Sequence, residues 1–187
     1  MRYLFVFFLL AYSCCLDGQS YFNMTFGYSF NDYGWSVRQI KDGGFLFIGS
    51  NEEFDGTDFY YETLLVKADS LGQEEWRRVY NDFKPIKKTA LNKTSDGGFV
   101  FLTNLVVVKI DSFGQEQWTF NNDSSYTGVH ETADIDYLLT KPIWKMYSSD
   151  SVRIIKTNNQ GIKYWHKTYE MDCGGNFLNY AIRSTLD

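Results

Sequence analysis

The stretch Asp96-Gly-Gly-Phe-Val-Phe-Leu102, continued by Val106-Val-Val-Lys-Ile-Asp-Ser-Phe-Gly-Gln-Glu-Gln-Trp118, decides the fold because the chain contains it more than once. An earlier copy runs Asp42-Gly-Gly-Phe-Leu-Phe-Ile-Gly49 and then Leu64-Leu-Val-Lys-Ala-Asp-Ser-Leu-Gly-Gln-Glu-Glu-Trp76. A weaker copy is Val152-Arg-Ile-Ile-Lys-Thr-Asn-Asn-Gln-Gly-Ile-Lys-Tyr-Trp165. A repeat of this length is typical of stacked supersecondary units that share a core.

Each copy consists of short β-rich runs separated by turn residues, without a sustained helical period. For the first copy we predict four strands, Trp35 to Ile40, Phe45 to Gly49, Thr63 to Ala68 and Glu75 to Tyr80. The glycines of the Asp-Gly-Gly motif indicate tight turns between strands; they are Gly43, Gly44, Gly97 and Gly98. The weak copy has lost this motif around Asp136 to Ser148. Four antiparallel strands in about 40 to 50 residues form one blade of a β-propeller.

The sequence therefore predicts an all-β, propeller-like domain over residues 21–187. We place whole blades at 34–80, 87–120 and 131–169, and the start of another at 178–187. One tryptophan recurs per blade, and we expect all three to anchor the packing between neighbouring blades because indole rings bury large areas. These residues are Trp76, Trp118 and Trp165.

The two ends of this domain resemble parts of blades. Tyr21 to Gly27 resembles an outermost strand, and Tyr180 to Asp187 resembles a first strand that stops at the Asp of the next turn. Propellers usually have four to eight blades. Two interpretations stay open: a truncated copy of a longer protein, or end strands that pair into a composite blade. Open propeller edges would favour self-association.

The N-terminus predicts an export signal over residues 1–20. One positive charge precedes a short apolar run, and Gly18 and Ser20 favour cleavage before Tyr21. Cys14 is an alternative point of lipid attachment, so we expect a secreted or surface location. Cleavage before Tyr21 leaves Cys173 as the only cysteine, which excludes an intramolecular disulfide. No second apolar stretch suits a transmembrane helix.

The pattern Asp-Gly-Gly-aromatic followed by Lys-x-Asp-Ser-x-Gly-Gln-Glu-x-Trp resembles the repeat of secreted or surface β-propeller proteins common in Bacteroidetes-type bacteria. The resemblance covers about residues 21–187 and implies export and a propeller fold. It carries no shared catalytic residues. The segment from Ala68 to Trp76 is also similar to the tryptophan-docking motif of quinoprotein-type propellers. Its Asp-to-Gly spacing is one residue shorter and no quinone or metal ligand set accompanies it, so we expect no cofactor.

Composition and motifs exclude several function classes. A net charge of -5 argues against a nucleic acid partner, which requires clustered Lys and Arg. Only two histidines, His130 and His166, occur, so a His-rich metal site is excluded. Nucleophile-elbow, P-loop and dinucleotide-binding motifs are absent from the sequence.

The acidic segment Asn51 to Glu62 is the one local departure from the repeat, and we expect it to be a solvated loop. Its candidate binding residues are Glu52, Glu53, Asp55, Asp58, Phe59 and Tyr60. The carboxylates could gather oxygen ligands for calcium, although the spacing matches no EF-hand. Segments that vary over a constant scaffold commonly carry binding. We predict a non-catalytic protein that binds a protein or glycan there; the competing hypothesis is a glycan-active hydrolase or lyase that uses these carboxylates.

Overall fold

The computed structural model describes residues 24–28, 31–80, 91–103, 105–121, 126–143 and 151–170. Within these ranges the chain is all β, with twelve strands in three four-stranded antiparallel sheets and no helix. The propeller-like fold class is confirmed, and these three sheets do not close a ring. The predicted signal peptide, Cys14, Cys173 and the partial blade 178–187 lie outside the described residues.

Each sheet is a simple meander in which neighbours in sequence are neighbours in space. The first sheet contains β1 (Asp32–Gln39), β2 (Phe45–Phe54), β3 (Phe59–Ala68) and β4 (Glu74–Tyr80). The second contains β5 (Leu91–Lys93), β6 (Phe99–Leu102), β7 (Val106–Ile110) and β8 (Glu116–Asn121). The third contains β9 (Gly128–Glu131), β10 (Tyr137–Ile143), β11 (Ser151–Thr157) and β12 (Lys163–Glu170).

The turn between the first and second strands of each sheet depends on a left-handed residue. Gly43 and Gly97 take φ values of 86° and 85°, the region in which glycine carries little steric cost. In the third sheet this place belongs to Ile135, with φ 66°. The lost Asp-Gly-Gly of the weak copy is therefore Asp134-Ile135-Asp136, which overlaps the start of the predicted region at Asp136. A β-branched residue in this conformation is strained.

The core consists of two layers of side chains, one between each pair of neighbouring sheets. The first layer joins the first and second sheets and contains Leu46, Ile48, Leu65, Leu91, Phe99, Phe101, Val108 and Ile110. The second layer joins the second and third sheets and contains Val100, Leu102, Val107, Tyr126, Val129, Tyr137, Leu139 and Ile155. The second sheet is thus covered on both faces, which explains its nearly continuous apolar strands.

A tryptophan from one sheet meets a turn glycine of the next at both joints. A Cβ on Gly114 would lie 2.9 Å from the ring of Trp76, and a Cβ on Gly161 would lie 2.8 Å from the ring of Trp118. The Trp118 Nε1–H also donates to the carbonyl of Asn159 at 2.8 Å. Trp165 differs, because its side chain is 40% exposed and it belongs to neither core layer. The blade predicted to follow Trp165, at 178–187, lies outside the described residues, so the role of Trp165 as an anchor stays a prediction.

A lysine in the third strand of each sheet reaches the aspartate of the first turn. Lys67 pairs with Asp42 at 3.4 Å, Lys109 with Asp96 at 2.8 Å, and Lys156 with Asp134 at 2.6 Å. Lys109 is buried, and its ammonium also donates to the carbonyl of Ile110 and to Gln117. The Lys and the first Asp of the repeat are therefore partners that hold the two hairpins of each blade together.

Candidate functional site

The acidic segment of the first sheet continues β2 and β3 as a regular hairpin. The register runs without a break from Phe45 opposite Ala68 to Phe54 opposite Phe59. The expectation of a solvated loop is wrong: both strands are four to five residues longer than predicted, and only 55–58 form the turn. In the second sheet the corresponding link is short, since Thr103 N–H donates to the carbonyl of Val106 at 2.8 Å. The hairpin therefore extends at the edge opposite the Asp-Gly-Gly turns.

Glu52 anchors the base of this hairpin. It is only 8% exposed, and its carboxylate accepts hydrogen bonds from Asn31 Nδ2 at 2.7 Å and from the Tyr61 hydroxyl at 2.6 Å. These bonds, the one from Tyr61 first, lower the pKa of Glu52, while the same contact raises the pKa of Tyr61 to about 12. Glu52 is thus an ionised structural acceptor.

Asp55 organises the turn at the hairpin tip. Its Oδ1 accepts from the backbone N–H groups of Thr57 at 2.8 Å and Asp58 at 2.9 Å, and Gly56 supplies a φ of 98°. The two backbone bonds lower the pKa of Asp55. This is the geometry of an Asx turn, in which an aspartate caps its own loop.

The opposite face of the hairpin carries a pair of carboxylates. Asn51 Nδ2 donates to Glu53 Oε1 at 2.9 Å. Burial, and then the charge of Glu53, raise the pKa of Glu62. Burial and the nearby carboxylates of Glu62, Glu53 and Asp55 also raise the pKa of Tyr60. This face therefore concentrates negative charge behind a tyrosine.

Aromatic rings are exposed along the hairpin and beside it. Phe54 and Phe59 face each other across the strands with ring centroids 4.9 Å apart. Tyr33 on β1 stacks on Trp35 at 5.5 Å and lies 6.1 Å from Tyr61. The exposed members of this group are Tyr33, Phe54, Phe59, Tyr60 and Tyr61. Rings on a hydrogen-bonded hairpin can bind an apolar or sugar surface with little loss of conformational freedom.

The structure brings all six predicted binding residues onto one hairpin, with different roles. Glu52 and Asp55 are held by internal bonds, whereas Phe59 and Tyr60 present their rings to solvent. We did not predict four residues that shape the site: Asn31, Tyr33, Tyr61 and Glu62. The aromatic run Phe59-Tyr60-Tyr61 has high β-propensity and could have indicated a strand.

Within the described ranges, no three His, Cys, Asp or Glu side chains come together as ligands for a metal ion. A helix of the length and apolarity needed to cross a membrane is absent from the same part of the chain. Comparison with protein-family models finds no match, and comparison with curated protein sequences finds none either. The family resemblance described above stays a prediction.

Proposed function

We propose that this protein is an exported, non-catalytic binding protein of the β-propeller type that attaches to a protein or glycan at the cell surface. The tip of the β2–β3 hairpin is its contact region. One observation carries the proposal: exposed rings and carboxylates occupy a hairpin that extends beyond the repeat, while the neighbouring sheet turns back after Leu102.

Two of the predicted carboxylates, Glu52 and Asp55, suit a structural role better than hydrolysis. A glycosidase acid must hold its proton near neutral pH, which requires a raised pKa. Hydrogen bonds instead lower the pKa of Glu52 and of Asp55. The carboxylates of Glu52 and Asp55 both stabilise the hairpin. The exposed aromatic rings of the hairpin are therefore the groups that can contact a partner.

The proposal is tested with the purified full chain on immobilised cell-surface polysaccharides and on a membrane-protein fraction. Phe59→Ser should abolish retention because it removes a ring that is 58% exposed at the tip. Phe113→Ser is the matched control, since that ring is 69% exposed on a turn at the opposite edge.

Equal retention of the two variants would contradict the assignment of the tip. Hydrolysis of a polysaccharide by the wild type, lost in Asp55→Asn, would replace the binding function with an enzymatic one.

A further inference from the structure

The two joints between sheets differ at the edge that carries the Asp-Gly-Gly turns. At the joint between the second and third sheets, Glu131 at the end of β9 reaches across to Ser95. Its carboxylate accepts from the Ser95 backbone N–H at 2.7 Å and from the Ser95 hydroxyl at 3.1 Å. This carboxylate therefore closes the joint.

The equivalent positions at the joint between the first and second sheets are both lysines. Lys93 lies opposite Phe99 as Glu131 lies opposite Tyr137, so Lys93 takes the place of Glu131. Lys41 directly precedes the turn aspartate, as Ser95 does, so Lys41 takes the place of Ser95. Two cations thus lie where the other joint has a hydrogen-bond donor and a carboxylate. Because like charges repel, the two lysines do not bridge this joint.

A cavity of about 220 Å³ opens at this position. Ile40 and Phe99 supply apolar walls, Lys41, Lys67 and Lys93 supply positive charge, and Asp42 supplies one negative charge. Lys67 is already neutralised by Asp42 and Glu75. Within the part of the chain that the structure describes, neither Lys41 nor Lys93 has an ion-pair partner, and both are exposed.

We infer that this cavity binds an organic carboxylate that consists of a single ring and its acid group. The carboxylate would accept from the backbone N–H of Lys41 and from the two lysine ammonium groups, as the Glu131 carboxylate does from Ser95. Charge-assisted bonds of this kind are among the strongest polar contacts. The ring would lie against Ile40 and Phe99. The size follows from the volume, which is below the roughly 300 Å³ at which pockets for larger ligands begin.

This site is separate from the hairpin, because the hairpin tip and the Asp-Gly-Gly turns lie at opposite edges of the first sheet. The surrounding protein is acidic overall, with a net charge of -5. A local excess of lysine in such a protein gives an anion one preferred place to bind.

Isothermal titration of the full chain with benzoate tests the inference, at constant ionic strength. Benzyl alcohol, which has the ring without the charge, and inorganic phosphate, which has the charge without the ring, are the two comparison probes. Benzoate should bind saturably and at least about tenfold more tightly than benzyl alcohol, since one charge-assisted contact is worth about that much. It should also bind more tightly than phosphate, because only the ring buries apolar surface against Ile40 and Phe99.

Lys93→Glu provides the decisive variant because it places a carboxylate where Glu131 places one at the other joint. Benzoate binding should weaken at least about tenfold, while thermal stability is kept or raised by a new pair with Lys41. Lys163→Glu, on the exposed start of β12, is the control with the same change of net charge. Phosphate binding as tight as benzoate, equal weakening in both variants, or no saturable benzoate binding by the wild type would each overturn the inference.

Discussion

The same face of two sheets has different surroundings, and the comparison shows what the repeat does and does not encode. On the second sheet, Trp118 packs edge-to-face on Tyr137 of the third sheet at 5.0 Å. On the third sheet, the corresponding Trp165 is exposed, with Lys167 as its ring neighbour at 5.8 Å. The repeat supplies the tryptophan, but only the next sheet supplies its burial. The energetic role of a repeated residue therefore depends on its neighbour.

Replacing the two tryptophans by alanine should give the largest difference. Trp118→Ala should lower the free energy of unfolding by about 3 to 5 kcal/mol, because it leaves a cavity between two sheets. Trp165→Ala should cost less, about 1 kcal/mol, since the residue is already 40% exposed and lies outside both core layers. Urea unfolding followed by circular dichroism measures both.

Equal losses would mean that the face of Trp165 is covered in solution. Sedimentation velocity on the wild type would then show whether a second copy covers it.

The paired lysines should show the next largest difference. The Lys109 side chain is 2% exposed under the third sheet, whereas that of Lys156 is 21% exposed on the face of the third sheet that carries Trp165. Lys109→Ala should cost about 2 to 3 kcal/mol because three hydrogen bonds to a buried ammonium are lost. Lys156→Ala should cost less than about 1 kcal/mol, as for pairs near the surface. Denaturant midpoints of the two variants would contradict this if they were indistinguishable.

The turn glycines test the other side of the same joint. Gly161→Ala should cost about 2 kcal/mol because a φ of 77° is unfavourable for alanine and the new methyl group would meet Trp118. Gly97→Ala has a similar φ of 85° but open space around the methyl group, so strain alone should cost about 1 kcal/mol. Thermal melts of the two variants measure the difference. An equal loss of stability would contradict a steric contact between Gly161 and Trp118.

Ile135 offers a stabilising change within the third sheet. Ile135→Gly should raise the free energy of unfolding by about 1 kcal/mol, because glycine adopts a φ of 66° without strain and the isoleucine is half exposed. Ile162→Gly is the control at another exposed isoleucine of the same sheet, and it should destabilise. A loss of stability in Ile135→Gly would show that the side chain contributes more than its conformation costs.

Acidification should produce the smallest of these effects. Hydrogen bonding to Lys156 lowers the pKa of Asp134 to about 2, from an ordinary value of 3.8. A carboxylate with a lowered folded-state pKa stabilises the fold above its ordinary pKa, and this stability is lost as the pH falls towards the folded value. Melting temperatures should therefore fall between about pH 4 and pH 2, less steeply in Asp134→Asn. Identical pH profiles for the two proteins would contradict the pairing.

The sequence predicted the blades well because their signals are local. A glycine turn or a β-rich run can be recognised without knowing what packs on it, so the turn at Gly43 and the start of the next strand at Phe45 were predicted correctly. The charged run Asn51 to Glu62 was misread because a strand whose polar residues are satisfied by distant partners resembles a loop. Glu52 is held by Asn31, 21 positions away, and no local pattern shows that contact.

The exposure of Trp165 could not be predicted for a different physical reason. Burial of a repeated residue is a property of two neighbouring sheets, and the pattern of one sheet contains half of that information. The pairs of Lys67 with Asp42 and Lys109 with Asp96 were missed because their separations differ, at 25 and 13 residues. The β2–β3 hairpin of the first sheet is longer than its counterpart in the second sheet. The equivalence of the two Lys–Asp pairs is therefore visible only in the folded sheets.

The docking of a tryptophan on the glycine of the next turn gives the assembly a direction. Each sheet offers an indole on one face and a turn on the other, so sheets add head to tail and cannot add head to head. A duplicated blade would already carry both the tryptophan and the turn glycine that this contact requires. The chain could therefore gain a blade without a new kind of interface. An inverted blade would bring indole against indole, and selection would remove it.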